Sequence, residues 1–355
     1  MNIAFFAPLK PPTHPVPSGD RAMARALMAA LEAGGQTVTL TSELRLFDGR
    51  GDTAQQDRFF ELARQETARI LASPTAKDWR VWLTYHNYYK APDLIGPVVA
   101  RALDIPYILI ESSRARKRLI GPWARFAEQA EAASDAAHTI FYMTMRDSEA
   151  LIRDAPKAQA LRHLPPFLAR PDLPPASSLT GPMLSVGMMR PGDKLASYTL
   201  IAQALADLPT TTDWRMDIAG DGPERAEVAE MMAPFGDRVR LHGLLDTDAL
   251  SDLYTQASLL VWPGVNEAFG INYLEAQAAG IPVVAQDRPG VRDVVFAPMC
   301  RVDAGPAALA DAMQNFITDP DARRSIGTRG RIRIGTHHLL GAATETLLDT
   351  IEGLT

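Results

Sequence analysis

Glu267 and Glu275 stand eight positions apart with Gly270 between them, in the run Val265-Asn266-Glu267-Ala268-Phe269-Gly270-Ile271-Asn272-Tyr273-Leu274-Glu275. An ionised carboxylate accepts hydrogen bonds and donates none, so a pair of them suits the hydroxyls of a sugar. The stretch Ile271–Ala279 contains no proline or glycine and stops at Gly280, which predicts a helix with Gly280 as its C-terminal cap. Glu267 then lies just before the helix and Glu275 over a turn inside it, so both can face one ligand from different depths. The helix start offers free N–H groups and the positive end of its dipole, a seat for phosphate. Ala268-Phe269-Gly270 bring backbone close to such a ligand, with no side chain at Gly270 to block approach. Ile281-Pro282-Val283-Val284-Ala285 follows as a strand buried on both faces. Taken alone, two glutamates at this spacing read first as two solvated side chains beside an ordinary α/β helix.

A second loop carries cations. In Ser185-Val186-Gly187-Met188-Met189-Arg190-Pro191-Gly192-Asp193-Lys194 the two glycines permit a tight turn, and Arg190 and Lys194 stand at its rim. The bland alternative is a pair of surface cations. Ile218-Ala219-Gly220-Asp221-Gly222-Pro223-Glu224 ends a strand and opens a helix, where Asp221 either meets a ligand or only caps the helix. Gly220 and Gly222 make no dinucleotide fingerprint, since no third glycine follows at the required spacing. Asp246-Thr247-Asp248 is a literal Asp-x-Asp triplet, but it opens a predicted helix over Ala249–Gln256 and reads as an N-cap with first-turn acids. No other Asp, Glu or His cluster has metal-ligand spacing, so neither a metal nor another cofactor is expected.

These residues need a scaffold that presents strand ends. Strand-like apolar runs alternate with helical segments along the whole chain, the pattern of parallel α/β sheets. The strands predicted in the first half are Asn2–Ala7, Thr37–Thr41, Arg80–Thr84, Pro106–Ile110 and His138–Tyr142, separated by helices over Asp20–Ala33, Ala54–Leu71, Pro92–Leu103 and Pro122–Ala133. The second half repeats the alternation, with strands at Met183–Val186, Arg215–Ala219, Val239–Leu241, Leu259–Trp262 and Pro282–Ala285. The proline-rich stretch from Leu164 to Ser178 sustains neither helix nor central strand and divides the halves. The expected organisation is an N-terminal domain over 1–168, a linker over 169–180, a second domain over 181–335 and a terminal helix over 336–355. Open parallel sheets bind ligands at the C-terminal ends of their strands, so two such domains are expected to face each other across a ligand cleft.

Composition narrows the class. At 355 residues the chain holds two cores, and 46% hydrophobic with 22% charged residues is the balance of a globular protein. A net charge of −6 argues against a protein built to bind nucleic acid. The single cysteine, Cys300, excludes an internal disulfide and fits a reducing compartment. The first residues lack the basic leader and long apolar run of a signal peptide, and no span reaches the roughly 18 apolar residues of a membrane helix. A cytoplasmic protein is expected, at most peripheral to the inner face of a membrane.

The run NEAFG…LEAQAAGIPVVA, with the Gly187–Lys194 loop and the Gly220-Asp221-Gly222 turn before it, resembles the sugar-nucleotide pocket of the family-4 retaining glycosyltransferases. The resemblance covers most of residues 181–300 with specific motifs, and the N-terminal half more loosely. It implies the GT-B fold, two Rossmann-like parallel-sheet domains, with the C-terminal helix packing back on the first. It also implies transfer of a sugar from a nucleoside diphosphate to a hydroxyl of a glycan or lipid-linked acceptor. By that resemblance Glu275 holds the ribose hydroxyls and Glu267 the transferred sugar. Lys194 neutralises the donor diphosphate, with Arg190 in place of an arginine usually found where Met188 stands. Gly187, Gly220, Asp221, Gly222, Gly243, Ala268, Phe269, Gly270 and Leu274 complete the donor side. Trp262-Pro263-Gly264 walls the cavity, and His242-Gly243 shapes the base pocket. Other outcomes consistent with the motifs are a sugar-nucleotide epimerase, a phosphorylase, or a catalytically silent sugar-binding subunit. A two-domain oxidoreductase does not fit, because the first strand leads into a proline-rich loop without Gly-x-Gly-x-x-Gly.

On the acceptor side, Pro8 to Asp20 holds five prolines, Pro8, Pro11, Pro12, Pro15 and Pro17, and ends in Gly19 at the start of a helix. Thr84-Tyr85-His86-Asn87-Tyr88-Tyr89-Lys90 ends a strand with rings and hydrogen-bonding groups suited to a sugar face. His86, Asn87 and Glu111 are the candidate contacts, with Glu111 standing where the resembled family commonly has histidine. Arg114, Arg116, Lys117 and Arg118, followed by Leu119, Ile120, Trp123 and Phe126, offer three possibilities: peripheral membrane contact through 114–126, grip on a phosphorylated acceptor, or a solvated face.

Overall fold

The structure is a computed structural model and describes residues 1–16 and 18–354, so Pro17 of the proline-rich loop lies outside the described residues. The chain divides into two compact units, Met1–Ala169 with Leu340–Thr355, and Arg170–Leu339.

The first unit holds six parallel strands, β1 (Asn2–Phe6), β2 (Thr37–Ser42), β3 (Trp79–Asn87), β4 (Tyr107–Ser112), β5 (Thr139–Tyr142) and β6 (Ala160–His163), in the order β2-β1-β3-β4-β5-β6. Burial on both faces explains their near-continuous apolar runs: Ile3 to Phe6 and Ile108 to Ile110 are all solvent-free. β3 runs three residues beyond Thr84, because Tyr85 and Asn87 keep their register against Ile110 and Ser112 of β4. β6 was not expected from sequence. It is an edge strand in which Arg162 and His163 are exposed, so it lacks the buried pattern of the others.

The expected helix from Pro92 begins at Gly96 instead. Asp93 takes up the preceding turn, with Oδ1 accepting from the amides of Ile95 (2.9 Å) and Gly96 (2.7 Å). Its other oxygen, Oδ2, accepts from Thr84 Oγ1 (2.6 Å) and Tyr107 OH (2.8 Å). Burial nevertheless pushes the Asp93 carboxyl above its usual range, against the pull of these hydrogen bonds.

The second unit carries five parallel strands, β7 (Met183–Val186), β8 (Met216–Ala219), β9 (Val239–Gly243), β10 (Leu259–Val261) and β11 (Val283–Val284), in the order β11-β10-β7-β8-β9. The expected linker is not a free tether. Ser177 N donates to Ala279 O (2.7 Å), Ser178 N to Thr255 O (3.0 Å) and Gly181 N to Gln256 O (2.8 Å), which fixes this stretch to the second unit.

The terminal helical stretch, expected as one helix from Thr336, is two: Pro320–His337 in the second unit and Leu340–Glu352 in the first. The latter packs on the helix Gly19–Ala33. Ala343, Leu347 and Ile351 form its buried stripe, Thr344 Oγ1 donates to Ala30 O (2.9 Å), and Leu348 fills the space left by Gly34. No helix among the described residues is long and apolar enough to cross a membrane.

Candidate functional site

In the second unit the loops at the C-terminal ends of β7, β8 and β9 continue to bond past the strands. Gly187 N donates to Ala219 O (3.0 Å), Met189 N to Asp221 O (2.9 Å) and Gly220 N to Gly243 O (2.8 Å). Such stacking requires glycine. A Cβ on Gly220 would sit 1.9 Å from Gly187 O, and one on Gly222 would sit 2.2 Å from Met189 O. Asp221 does not cap the helix that follows. Its carboxylate accepts from Gly222 N (2.7 Å) and from Arg225 Nη1 (3.1 Å), the guanidinium over which Gly243 turns. Asp246, by contrast, caps the helix Thr247–Gln256 through Ala249 N (2.9 Å).

The helix Asp193–Asp207 starts where the β7 loop ends, and its first turns clamp the glutamate loop. Asn266 Nδ2 donates to Asp193 Oδ2 (2.9 Å) and Val265 N to Ser197 Oγ (3.1 Å). Lys194 Nζ pairs with Glu267 Oε2. Trp262 Nε1 donates to the same oxygen at 3.1 Å, and Lys194 Nζ lies 5.2 Å from the centroid of the Trp262 ring. The indole is fully buried and fills the space beside Gly187, while Tyr198, edge-on to it at 5.3 Å, donates to Gly187 O (2.6 Å). A carboxylate and a cation from positions 73 residues apart are thus held together on one buried aromatic.

Arg190 is not part of that meeting: it is exposed and forms no ion pair among the described residues. The other side of the glutamate loop is set by Gly290 (φ 84°), where a Cβ would lie 1.8 Å from Ala268 O.

Gly270 (φ 72°) opens the helix Ile271–Ala278 without a side-chain cap of its own; Tyr273 N is taken by Asn272 Oδ1 (3.0 Å), which leaves the amides of Ile271 and Asn272 for an outside anion. Asn272 Nδ2 ties this helix start to the end of β7 through Val186 O (2.9 Å). One turn on, Glu275 Oε2 accepts from Tyr254 OH (2.9 Å). Burial pushes the Glu275 carboxyl up to about 6, against the opposing effects of Tyr254 and Arg170. Leu274 departs from expectation: it is completely buried in the core, so its side chain presents no surface to a donor. Ala268 is exposed and Phe269 is 7% exposed beside it.

In the first unit, the penultimate residues of β3 and β4 are non-glycine residues with left-handed backbone, His86 (φ 70°) and Glu111 (φ 56°). That conformation costs about 1–2 kcal/mol per residue. His86 Nε2 lies 3.4 Å from Asp20 Oδ1 and 3.9 Å from Glu111 Oε2, with hydrogen-bond geometry to neither. Burial pushes Glu111 up to about 7, helped by the charges of Asp147 and Asp20 and opposed by His86. Burial works against charge on His86, yet Glu111 and Asp20 carry it above its usual value. Asp20 stands in the first turn of the helix that starts at Gly19; burial works to raise its carboxyl, but His86, with help from Lys10, holds it low.

Asn87 is a correction. It was expected to face the acceptor, but it is fully buried, and its amide joins three elements. Nδ2 donates to Ala130 O (2.8 Å), Ser134 Oγ (3.0 Å) and Ser112 Oγ (3.1 Å), and Oδ1 accepts from Asp93 N (3.0 Å). With both amide hydrogens engaged and the side chain fully buried, Asn87 offers no face to a ligand.

The residues that sequence reasoning missed are mostly supports: Asp193, Ser197, Asn266, Asn272, Tyr254 and Gly290 on the donor side, and Asp20 beside His86. Gly290 follows Pro289, and that pair was a visible turn signal. The partners of the glutamates come from distant segments and carried no local signal.

Residues 186–333 match the family model described as glycosyl transferases group 1. An exopolysaccharide phosphotransferase of Streptomyces coelicolor is 32% identical over 193 residues, 51% of this chain and 19% of that protein. A D-inositol 3-phosphate glycosyltransferase of Salinispora tropica is 38% identical over 140 residues, 37% of this chain and 28% of that protein. The chain therefore spans well under half the length of the curated relatives it matches. Among solved structures, HepE of Anabaena in complex with UDP superposes with a TM-score of 0.73 at 15% identity, covering 100% of both chains. The fold is GT-B, and residues 186–333 of the second unit are similar to the group 1 glycosyltransferases.

Proposed function

We propose that this protein transfers a sugar from a nucleoside diphosphate sugar to a hydroxyl of a glycan or lipid-linked acceptor, with retention at the anomeric carbon and without a metal ion. The observation that carries the proposal is the Lys194–Glu267 pair on Trp262, beside the uncapped start of Ile271–Ala278. It sets a sugar-binding carboxylate, a cation and open amides within one loop cluster. The structures of HepE with UDP and with UDP-glucose support a nucleotide-sugar ligand.

In this scheme the bond between the anomeric carbon and the diphosphate oxygen breaks, and its electron pair goes to the phosphate. The acceptor oxygen bonds to the carbon on the same face, and its proton passes to the departing phosphate oxygen. No protein base is required. Lys194, Arg190 and the first amides of Ile271–Ala278 offset the leaving charge, the kind of preorganised stabilisation that is commonly the largest catalytic contribution. Glu267 orients the sugar hydroxyls, and Glu275 holds the ribose. Gly19, His86 and Glu111 serve the acceptor, and segment 114–126 makes the peripheral membrane contact for a lipid-linked one. The protein is placed in the cytoplasm.

Thermal shift against UDP, GDP, ADP and their sugar conjugates, with and without EDTA, tests the donor side. Binding to the native state raises the melting temperature by mass action. A shift with one nucleotide that EDTA leaves intact is expected. Turnover of that donor unchanged in both Glu267→Ala and Lys194→Ala would show the site assignment to be wrong.

A further inference from the structure

In the first unit, segment 114–126 meets the residues that follow β3 in a cluster of two cations and two rings. Lys90 Nζ lies 5.7 Å from the ring centroids of both Tyr89 and Trp123, and Arg118 Cζ lies 5.0 and 5.3 Å from the same two. The rings meet edge to face at 5.7 Å. Two cations attracted to one pair of ring faces are thereby confined within about 9 Å of each other, where like charges repel.

The basic run around them is otherwise neutralised in part. Arg114 pairs with Glu131 and Asp135, and Arg116 with Asp154. Lys90 and Arg118 pair with no carboxylate of the described residues, and Arg118 Nε is buried without a hydrogen-bond partner. Asp48 is fully buried, and its carboxylate is already engaged by Arg50 N, Gly51 N and Gln56 Nε2. The platform is fixed from below: Trp123 Nε1 donates to Asp48 O (3.1 Å), Asp48 N donates to Lys90 O (2.8 Å), and Pro122 packs on Gly51.

A phosphate group answers all of these features. It supplies the missing anion, takes hydrogen bonds from the planar guanidinium and the ammonium together, and relieves their repulsion. We propose that Lys90 and Arg118, seated on Tyr89 and Trp123, form a phosphate clamp for a phosphate monoester or diester. The phosphate has two possible sources, a soluble phosphorylated acceptor or the headgroup of an anionic lipid. Ile120, 85% exposed just beyond Arg118, makes the lipid source worth its own arm in the test.

The full chain is titrated calorimetrically with inorganic phosphate and with glucose 6-phosphate, and sedimented with phosphatidylglycerol and with phosphatidylcholine vesicles. Wild-type protein binds at least one phosphate-bearing probe, and Lys90→Gln and Arg118→Gln each weaken it about tenfold or more. Glucose 6-phosphate binding without sedimentation identifies a soluble acceptor. Salt-sensitive sedimentation with phosphatidylglycerol alone identifies a lipid headgroup. Lys117→Gln removes the same charge away from the two rings and is expected to keep most of the affinity. The clamp is overturned if wild type binds none of the probes, if neither ring-seated variant weakens binding, or if Lys117→Gln weakens it as much as they do. Far-ultraviolet circular dichroism and the thermal midpoint check that each variant is folded. Nucleotide-induced thermal shifts are expected to stay at wild-type size in these variants, so a failure of the clamp and a failure of the donor site are distinguished.

Discussion

Glu275→Gln is expected to stabilise the protein at alkaline pH while weakening its hold on the nucleotide. Burial raises the Glu275 carboxyl from 4.5 to about 6, so the native state holds its proton more tightly than the unfolded chain does. The native-state advantage is therefore complete below about pH 4.5 and is lost as the pH rises through about 6, because ionisation is harder inside the fold. That rise corresponds to roughly 2 kcal/mol of penalty at pH 8. Glutamine removes the charge and keeps an amide oxygen to accept from Tyr254 OH. A gain of about 1–2 kcal/mol at pH 8 follows, or a melting temperature higher by a few degrees. At pH 4.5 the two proteins should melt together. In the same variant nucleotide affinity should fall about tenfold or more, since a charge-assisted bond to the ribose becomes a neutral one. Differential scanning fluorimetry at pH 4.5 and pH 8, with calorimetry on the nucleotide found to bind, measures both. A variant that melts lower at pH 8 would refute the desolvation account. One that binds nucleotide as tightly as wild type would remove Glu275 from the site.

Lys194→Met keeps an unbranched stem beside Trp262 and removes the charge, so kcat should drop about 10²–10³-fold. The partly exposed ion pair with Glu267 contributes about 1 kcal/mol or less, so the melting temperature should move only a few degrees. A loss of stability without a loss of turnover would make Lys194 a support for the glutamate loop only. Asn87→Ala should destabilise the first unit by about 2–4 kcal/mol in urea unfolding, because it leaves buried groups of three elements unpaired. An effect below 0.5 kcal/mol, the ordinary range for surface substitutions, would contradict the structural role assigned to it. Acceptor-dependent kcat/KM should rise with pH through about 7 as Glu111 ionises and becomes a full acceptor for a hydroxyl. Glu111→Gln should flatten that step, and a step that persists in the variant belongs to another group.

The alternation of strand and helix was legible because both sheets are parallel and buried on two faces, which writes apolar runs such as Ile108-Leu109-Ile110 into the sequence. β6 escaped because an edge strand with exposed Arg162 and His163 carries no such run. Asn87 was misjudged for a related reason. A polar residue at a strand end looks the same in sequence whether it faces a ligand or ties β3 to β4 and the helix Ala124–Ala136. Leu274 and Glu275 are neighbours on one helix, and only packing tells that the first is core and the second meets Tyr254. The donor residues were legible as types, because a glutamate pair and a lysine are chemically distinctive. Their pairing was not, since the bond between Lys194 and Glu267 depends on β7 and β10 lying side by side in the sheet. The same limit applies to the cations of the first unit. Sequence places Arg118 in a basic run with Lys117 and Arg116, and only the fold sets it with Lys90 over two shared rings. Of that run, therefore, Arg118 is the residue whose charge the fold has concentrated rather than dispersed, and it is the one whose loss should be felt in phosphate binding.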